Sequence, residues 1–526
     1  MSFEPDTGML TSAAAILSPT RDTSLAFHRG SFDRLAPFCN PETRPKFQID
    51  ASKPIFVFGS CFALEVASRL RDMGSDVAEF NFPMTADEWH SIPQVIVNKF
   101  TPATIHGEVS WCHGILTRGD GFRPEDAENM LYDIGDGYVI DGGLMGLRPI
   151  RRERAIERRR ALFEYFSRVF EVETVVITLG LVESWWDSKR RRFLEEFPHP
   201  AKLMQRYGDQ FHFCKLGYDR CRDYLMEAFR LINSVGPQKK ILITTSPVPM
   251  ARTFTDDDVI VANFHGKSVL RAVCGELSDR LPDVAYFPSY ESVVLTRDWS
   301  VYSLDRRHVA RKDVARVVAK VIATYFTNIP EAQQVLVQSV LALHEGRLEA
   351  ALDMAKQAVA NLPSSPEAWL QLGQAYDAMG ALTNAASAFE KAADLVPDNA
   401  AGVHLVASAH CKAGTAEQAI GRVEDFLERY PDAPVAAQAH LMCLYEMGRL
   451  KDCLTVVERL HDLAILPWEG YMVASRAYED SGDLPAAHKA AQKAAAMSWQ
   501  SPSALTRVAD VEAHMQRVAE TNADSR

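Results

Sequence analysis

Four short runs of apolar residues, 55–58, 174–179, 240–245 and 284–287, are rich in β-branched or aromatic side chains and bounded by turn or polar residues. That pattern predicts buried strands. Amphipathic stretches at 62–73, 151–169, 221–233 and 263–281 separate or follow them, so the first 330 residues read as alternating strand and helix. Parallel strands need such crossovers, and the pattern predicts an α/β three-layer sandwich with a mostly parallel sheet. Reactive groups in sheets of this kind gather at the carboxyl ends of the strands.

The rest of the chain follows a different period. Gly346, Gly380, Gly414, Gly448 and Gly482 are spaced by thirty-four residues without a slip, and a small residue follows each at five positions: Ala351, Ala385, Ala419, Cys453 and Ala487. Pro363, Pro397 and Pro431 fall seventeen after the first three glycines. The reading is one helical hairpin per repeat, with glycine in the tight turn, small residues where helices approach, and proline after the second helix. Residues 366–396, with Trp369, Leu372, Gly373, Tyr376, Gly380, Ala385, Phe389 and Ala392 before Pro397, resemble the tetratricopeptide (TPR) consensus. The resemblance implies an all-α TPR solenoid of about five repeats over 332–500, with a capping helix and tail over 501–526. Its groove implies a protein or peptide partner.

Composition narrows the function classes. The chain of 526 residues carries a formal charge of −12, and residues 331–526 hold 15 Lys or Arg against 26 Asp or Glu, so the acidity lies in the repeats. That balance argues against a nucleic-acid partner. The first thirty residues lack the basic and apolar regions of a secretory signal, and no run of about eighteen apolar residues predicts a transmembrane segment. Nine scattered cysteines without a C-x-x-C pair suggest reduced thiols. The expected location is cytoplasmic.

Candidate chemistry sits at strand ends. The run 55–58 leads into Gly59-Ser60-Cys61 and a helix, which places Ser60 on a turn at a helix N-terminus, where backbone N–H groups, its own included, can stabilise an oxyanion. A serine needs a neighbouring base, itself oriented, to become a nucleophile. Asp305 stands three residues before His308 and can orient it. Cys61 is the rival nucleophile, with its side chain expected on the packed side of the turn, and a plain helix cap is the other reading of Ser60. The histidines show no metal-ligand spacing, so no metal is expected. Seven arginines between Arg148 and Arg160, and the run Lys189-Arg190-Arg191-Arg192, read as solvated faces, with contact to a phosphorylated or acidic glycan as the functional alternative. Trp185-Trp186 suits stacking on a sugar ring or core packing.

The segment Phe56-Val57-Phe58-Gly59-Ser60-Cys61-Phe62-Ala63 resembles the signature of the GSCFA family, and Ile243 to Pro249, Asn263 with Lys267 to Arg271, and Tyr286 to Glu291 look like its later landmarks. That family is similar to the SGNH or GDSL hydrolases. The resemblance implies an SGNH-like domain over 50–328 after an N-terminal extension over 1–49, with Ser60 as nucleophile and Asp305 and His308 as its relay. It implies esterase or acyltransferase chemistry, on an O-acylated carbohydrate or other acylated small molecule such as a cell-envelope precursor, without a bound cofactor. SGNH enzymes add an oxyanion asparagine in a Gly-x-Asn block, whereas Gly180 here is followed by Leu181-Val182-Glu183-Ser184-Trp185. Either another group, such as Asn98 or Asn263, fills that place or turnover is slow, and Gly180, Glu183 and Trp185 are oxyanion or substrate candidates. The alternative is a non-catalytic TPR scaffold carrying a degenerate hydrolase-like domain.

Overall fold

The computed structural model describes residues 35, 38–85, 88, 93–145, 148–196, 201–303, 307–431, 433–462, 466–498 and 502–524. The chain divides into two compact units, Met1–Pro330 and Glu331–Arg526.

The first unit is built on a four-stranded sheet, all parallel: β1 (Ile55–Gly59), β2 (Thr174–Leu179), β3 (Lys240–Thr245) and β4 (Val284–Tyr286), in the order β4-β3-β2-β1. Every residue of β1 and β2 is buried, so both faces of these strands are covered. This is why they read as unbroken apolar runs. A single parallel bridge from Ile55 to Val77 extends the sheet beyond β1. Residue 77 lies between β1 and β2 in the chain, so the strand order reverses between β1 and β2. Such a reversal opens a crevice at the carboxyl ends of the two strands, the usual ligand position in open α/β sheets.

The long helices are α1 (Cys61–Asp72), α2 (Pro102–Arg118), α3 (Arg152–Ser167), α4 (Tyr218–Asn233), α5 (Val259–Arg280) and α6 (Arg311–Tyr325). Their apolar faces join the strands in a core that includes Phe56, Ile177, Ile243, Leu225 and Leu270. At about 1.5–3 kcal/mol per large side chain buried, this core dominates the unit's stability. Two three-stranded antiparallel sheets, which the apolar pattern does not predict, are added to it. One pairs Leu131–Gly135, Tyr138–Asp141 and Ile150–Arg151, and the other pairs Arg192–Leu194, Glu183–Asp187 and Phe211–Lys215.

The arginine-rich helix α3 is not a solvated face throughout. Arg154 does meet Glu157 and Glu88 near the surface, but Arg158 and Arg159 are fully buried. Their carboxylate neighbour Asp141 comes from a distant hairpin, which no helical spacing reveals.

In the second unit, eleven helices run from Glu331–His344 to Pro502–Asp524 among the described residues. Each repeat glycine sits between the two helices of a hairpin in left-handed backbone, with φ from 69° to 87°. The turns share one hydrogen-bond pattern, as when Gly346 N–H reaches Leu343 O and Arg347 N–H reaches Ala342 O. That closes the free carbonyls of the helix end, and glycine takes the required φ without a Cβ penalty. The small residues five positions on are all buried, at 0–1% exposure.

Candidate functional site

The serine turn is set by two close approaches. Gly59 holds φ +137°, and a Cβ there would come 2.2 Å from Thr178 O of the neighbouring strand. Past β2, a Cβ on Gly180 would come 2.8 Å from the Ser60 Cβ. Both glycines let β1 and β2 end side by side with the serine between them. Ser60 stands at the N-cap of α1, yet its hydroxyl makes no capping bond and lies 3.0 Å from Thr178 Oγ1. The plain helix-capping role is therefore not the one it plays.

Ser60 and His308 line one cleft of about 510 Å³ at the carboxyl ends of β1 and β2. Asn98, Gly180, Glu183 and Trp185 line it too, whereas Asn263 does not. Asp305 lies outside the described residues. His308 is exposed and follows Arg307, whose guanidinium reaches Pro249 O at 3.4 Å. Cys61, expected on the packed side, is instead half-exposed on the cleft wall, because the first turn of α1 faces the crevice.

The backbone donors differ from expectation. Ser60 N–H does not face an oxyanion site: it donates to Thr178 O at 2.9 Å, continuing the ladder between β1 and β2. Gly180 N–H and Leu181 N–H both donate to Phe100 O, at 3.0 and 2.8 Å. Other candidates brace loops. Glu183 accepts from the Thr253 hydroxyl at 2.7 Å and from Phe254 N–H at 3.1 Å, and Asn263 Oδ1 accepts from Met250 N–H at 3.1 Å. The Trp185 ring meets Phe213 and Phe254 edge-on. Asn98 is the exception. It is 2% exposed, and among the described residues its buried Oδ1 has no hydrogen-bond partner. A buried carbonyl oxygen left unsatisfied beside a cleft is costly, and it is a natural acceptor for a ligand's N–H or O–H.

The model of the GSCFA family matches residues 54–321, just over half of the chain and the whole of this site. The chain belongs to the GSCFA family. A tetratricopeptide repeat model matches residues 336–400, so the GSCFA domain precedes TPR repeats. Similar solved structures include a thermophilic TPR protein of Thermus thermophilus, at 19% identity over 34% of this chain and 98% of that one, with a TM-score of 0.28. A TPR protein from Parabacteroides merdae ATCC 43184 is 11% identical over 47% of this chain and 92% of its own, with a TM-score of 0.32. MamA residues 41 to the end from Desulfovibrio magneticus RS-1 gives 18%, 32%, 96% and 0.28. No curated protein matches the chain. Among the described residues no helix is long and apolar enough to cross a membrane.

One residue behind the GSCFA serine stands in the sequence only as a landmark. Lys267 of α5 is 2% exposed and donates from Nζ to Gly180 O at 2.8 Å. Burial pushes its ammonium down to about 7, against about 10.4 for a free lysine. Between about pH 7 and pH 10 the unfolded chain therefore binds more protons here than the folded one, and stability gained from this group rises with pH. Below pH 7 the cost of the buried charge is fully present. In urea unfolding at pH 7, 8 and 9, the parent is expected to gain up to about 1.4 kcal/mol per pH unit relative to Lys267→Met. Parallel profiles for the two proteins would refute this role.

Proposed function

We propose that the GSCFA domain is a serine esterase or acyltransferase of the SGNH type, in a three-layer α/β sandwich, acting on an O-acylated carbohydrate or cell-envelope precursor. The observation that carries the reading is the shared cleft: Ser60, free of a capping role, lines the same crevice as His308. In this scheme Ser60 Oγ attacks the acyl carbon. His308 takes the serine proton and returns it to the leaving alcohol, and Asp305 orients the imidazole. With the Ser60 and Gly180 amides already engaged, the oxyanion is left to the Asn98 Nδ2 N–H and to the N–H groups of Cys61 and Phe62 at the start of α1, which have no intrahelical acceptor. Asn98 then stands in for the missing asparagine of the Gly-x-Asn block. Transfer to a sugar hydroxyl uses the same residues with an acyl donor such as acetyl-CoA. The repeats recruit a protein or peptide partner in the cytoplasm.

Asn98→Ala is expected to lower kcat about 10²–10³-fold with little change in KM. An unchanged kcat moves the oxyanion role to the α1 N–H groups alone. The reading itself is tested by labelling the purified protein with a fluorophosphonate probe and mapping the adduct. An adduct on Ser60, lost in Ser60→Ala, supports it. A second reading, a non-catalytic scaffold, is favoured by the engaged Ser60 and Gly180 amides, and it predicts no adduct on folded protein.

A further inference from the structure

Beside the serine cleft lies a second cavity of about 430 Å³. Trp111, Trp186, Phe193 and Tyr224 form part of its lining, with Arg191 from the turn after Glu183–Asp187 and Arg192 at the start of the next strand. Side chains alternate along that strand, so Trp185 lines the serine cleft while Trp186 lines this cavity. Glu195 lines both.

The charges around the cavity do not balance. Lys99 bonds Gly143 O at 2.8 Å and sits 3.2 Å from Glu108 and 3.8 Å from Glu195. Arg159 grips Asp141 through both ends of its guanidinium and meets Glu108 at 3.3 Å. Among the described residues, Lys99, Arg158, Arg159 and Arg192 thus face Glu108, Asp141 and Glu195, four cations against three carboxylates. Nearby acids are engaged elsewhere: Glu88 by Arg154, Asp126 by Arg118, and Asp187 by Tyr132 and Gln210. Among the described residues, Arg192 Nε, and Nε and Nη1 of Arg158, are buried without an acceptor. The Arg159 and Arg192 guanidiniums converge over Gly143, where a Cβ would lie 2.4 and 2.7 Å from them. A buried uncompensated charge is costly, and a bound anion removes that cost. Arg191 is held at φ +54°, a conformation that strains a non-glycine residue, with its side chain at the same cavity.

We propose that this cavity is a second ligand site, which takes an anionic sugar unit with its charge on Arg191 and Arg192 and its ring against the Trp186 and Tyr224 side chains. Guanidinium groups suit phosphate and carboxylate oxygens, whether the charge is a phosphate ester or a uronic carboxylate. The aromatic faces suit the apolar side of a sugar ring, and Glu108, Glu195 and Ser110 offer acceptors for its hydroxyls. The site does not depend on the serine chemistry.

Calorimetric titration of the full chain with glucose 6-phosphate, glucuronate, glucose and inorganic phosphate tests this. Saturable binding of one or both anionic sugars, at least about tenfold tighter than glucose or inorganic phosphate, is the expected result. Glucose 6-phosphate preferred over glucuronate identifies a phosphate ester, and the reverse order identifies a uronic acid. Arg192→Gln and Trp186→Ala should each weaken it at least about tenfold, and Ser60→Ala should leave it unchanged. Exposed Arg191→Ala gives the same reading if Arg192→Gln fails to fold. No saturable binding of either anionic sugar, inorganic phosphate binding as tightly as the sugars, or full affinity in the Arg191 and Trp186 variants overturns the proposal.

Discussion

Replacing Ser60 by alanine is expected to reduce the hydrolysis of a soluble acetyl ester by about 10³–10⁴-fold or more, and His308→Ala is expected to match it within about tenfold. The two losses should not add in the double variant, because nucleophile and base act as one unit. The variants should fold normally. Ser60 makes no capping bond, and its hydroxyl contact is to Thr178 Oγ1, while the His308 side chain is exposed. Circular dichroism and urea midpoints should therefore coincide with the parent's to within about 1 kcal/mol. A Ser60→Ala protein that keeps full ester turnover would remove the serine mechanism. In that event Cys61, half-exposed on the same cleft, becomes the residue to examine through its Ala variant.

Gly59→Ala should produce a large stability loss in the GSCFA domain. The new Cβ would meet backbone atoms, Thr178 O at 2.2 Å and Thr178 N at 2.8 Å, and these cannot rotate away as a side chain would. The residue would also have to hold φ +137°, a region closed to L side chains. Strain of about 1–3 kcal/mol and overpacking of similar size together predict a loss of about 2–6 kcal/mol. Gly114→Ala is the matched control. Gly114 lies inside helix α2 with nothing within 4 Å of its added Cβ. That substitution is expected to stabilise by about 0.5–1 kcal/mol. Urea unfolding of both variants checks the pair, and a Gly59→Ala midpoint equal to the parent's would contradict the packing described between β1 and β2.

The strands and helices that carry the serine turn are legible in the sequence because they are buried on both faces or along one stripe. The run 174–179 appears as Thr174–Leu179 and 240–245 as Lys240–Thr245, while 263–281 begins four residues earlier, as Val259–Arg280. The antiparallel hairpins leave little trace because strands of two to five residues carry little periodicity. The buried arginines mislead for a related reason. Glu153 and Glu157 sit at helical spacing beside them and suggest a surface stripe, whereas Arg159's true partners, Asp141 and Glu108, stand 18 and 51 residues away. Ser60 can be singled out from the turn that bears it, but the engagement of its N–H by Thr178 depends on β-pairing across 118 residues, which no local motif encodes. Asn98 and Asn263 are equal candidates in the sequence, and nothing there marks the orphaned Oδ1 of Asn98. Only the cleft around it distinguishes it from any other asparagine.

The five turn glycines share one backbone conformation, and the residue five positions after each is buried against a neighbouring helix. Such an array has a natural unit of length. Adding or removing one residue between two of these glycines would rotate every later helix by about 100° and turn its small-residue stripe away from its neighbour. Adding or removing thirty-four leaves each interface facing an equivalent one. The C-terminal unit is therefore free to change its reach only in whole steps, so its extent among relatives should be quantised even where individual side chains drift.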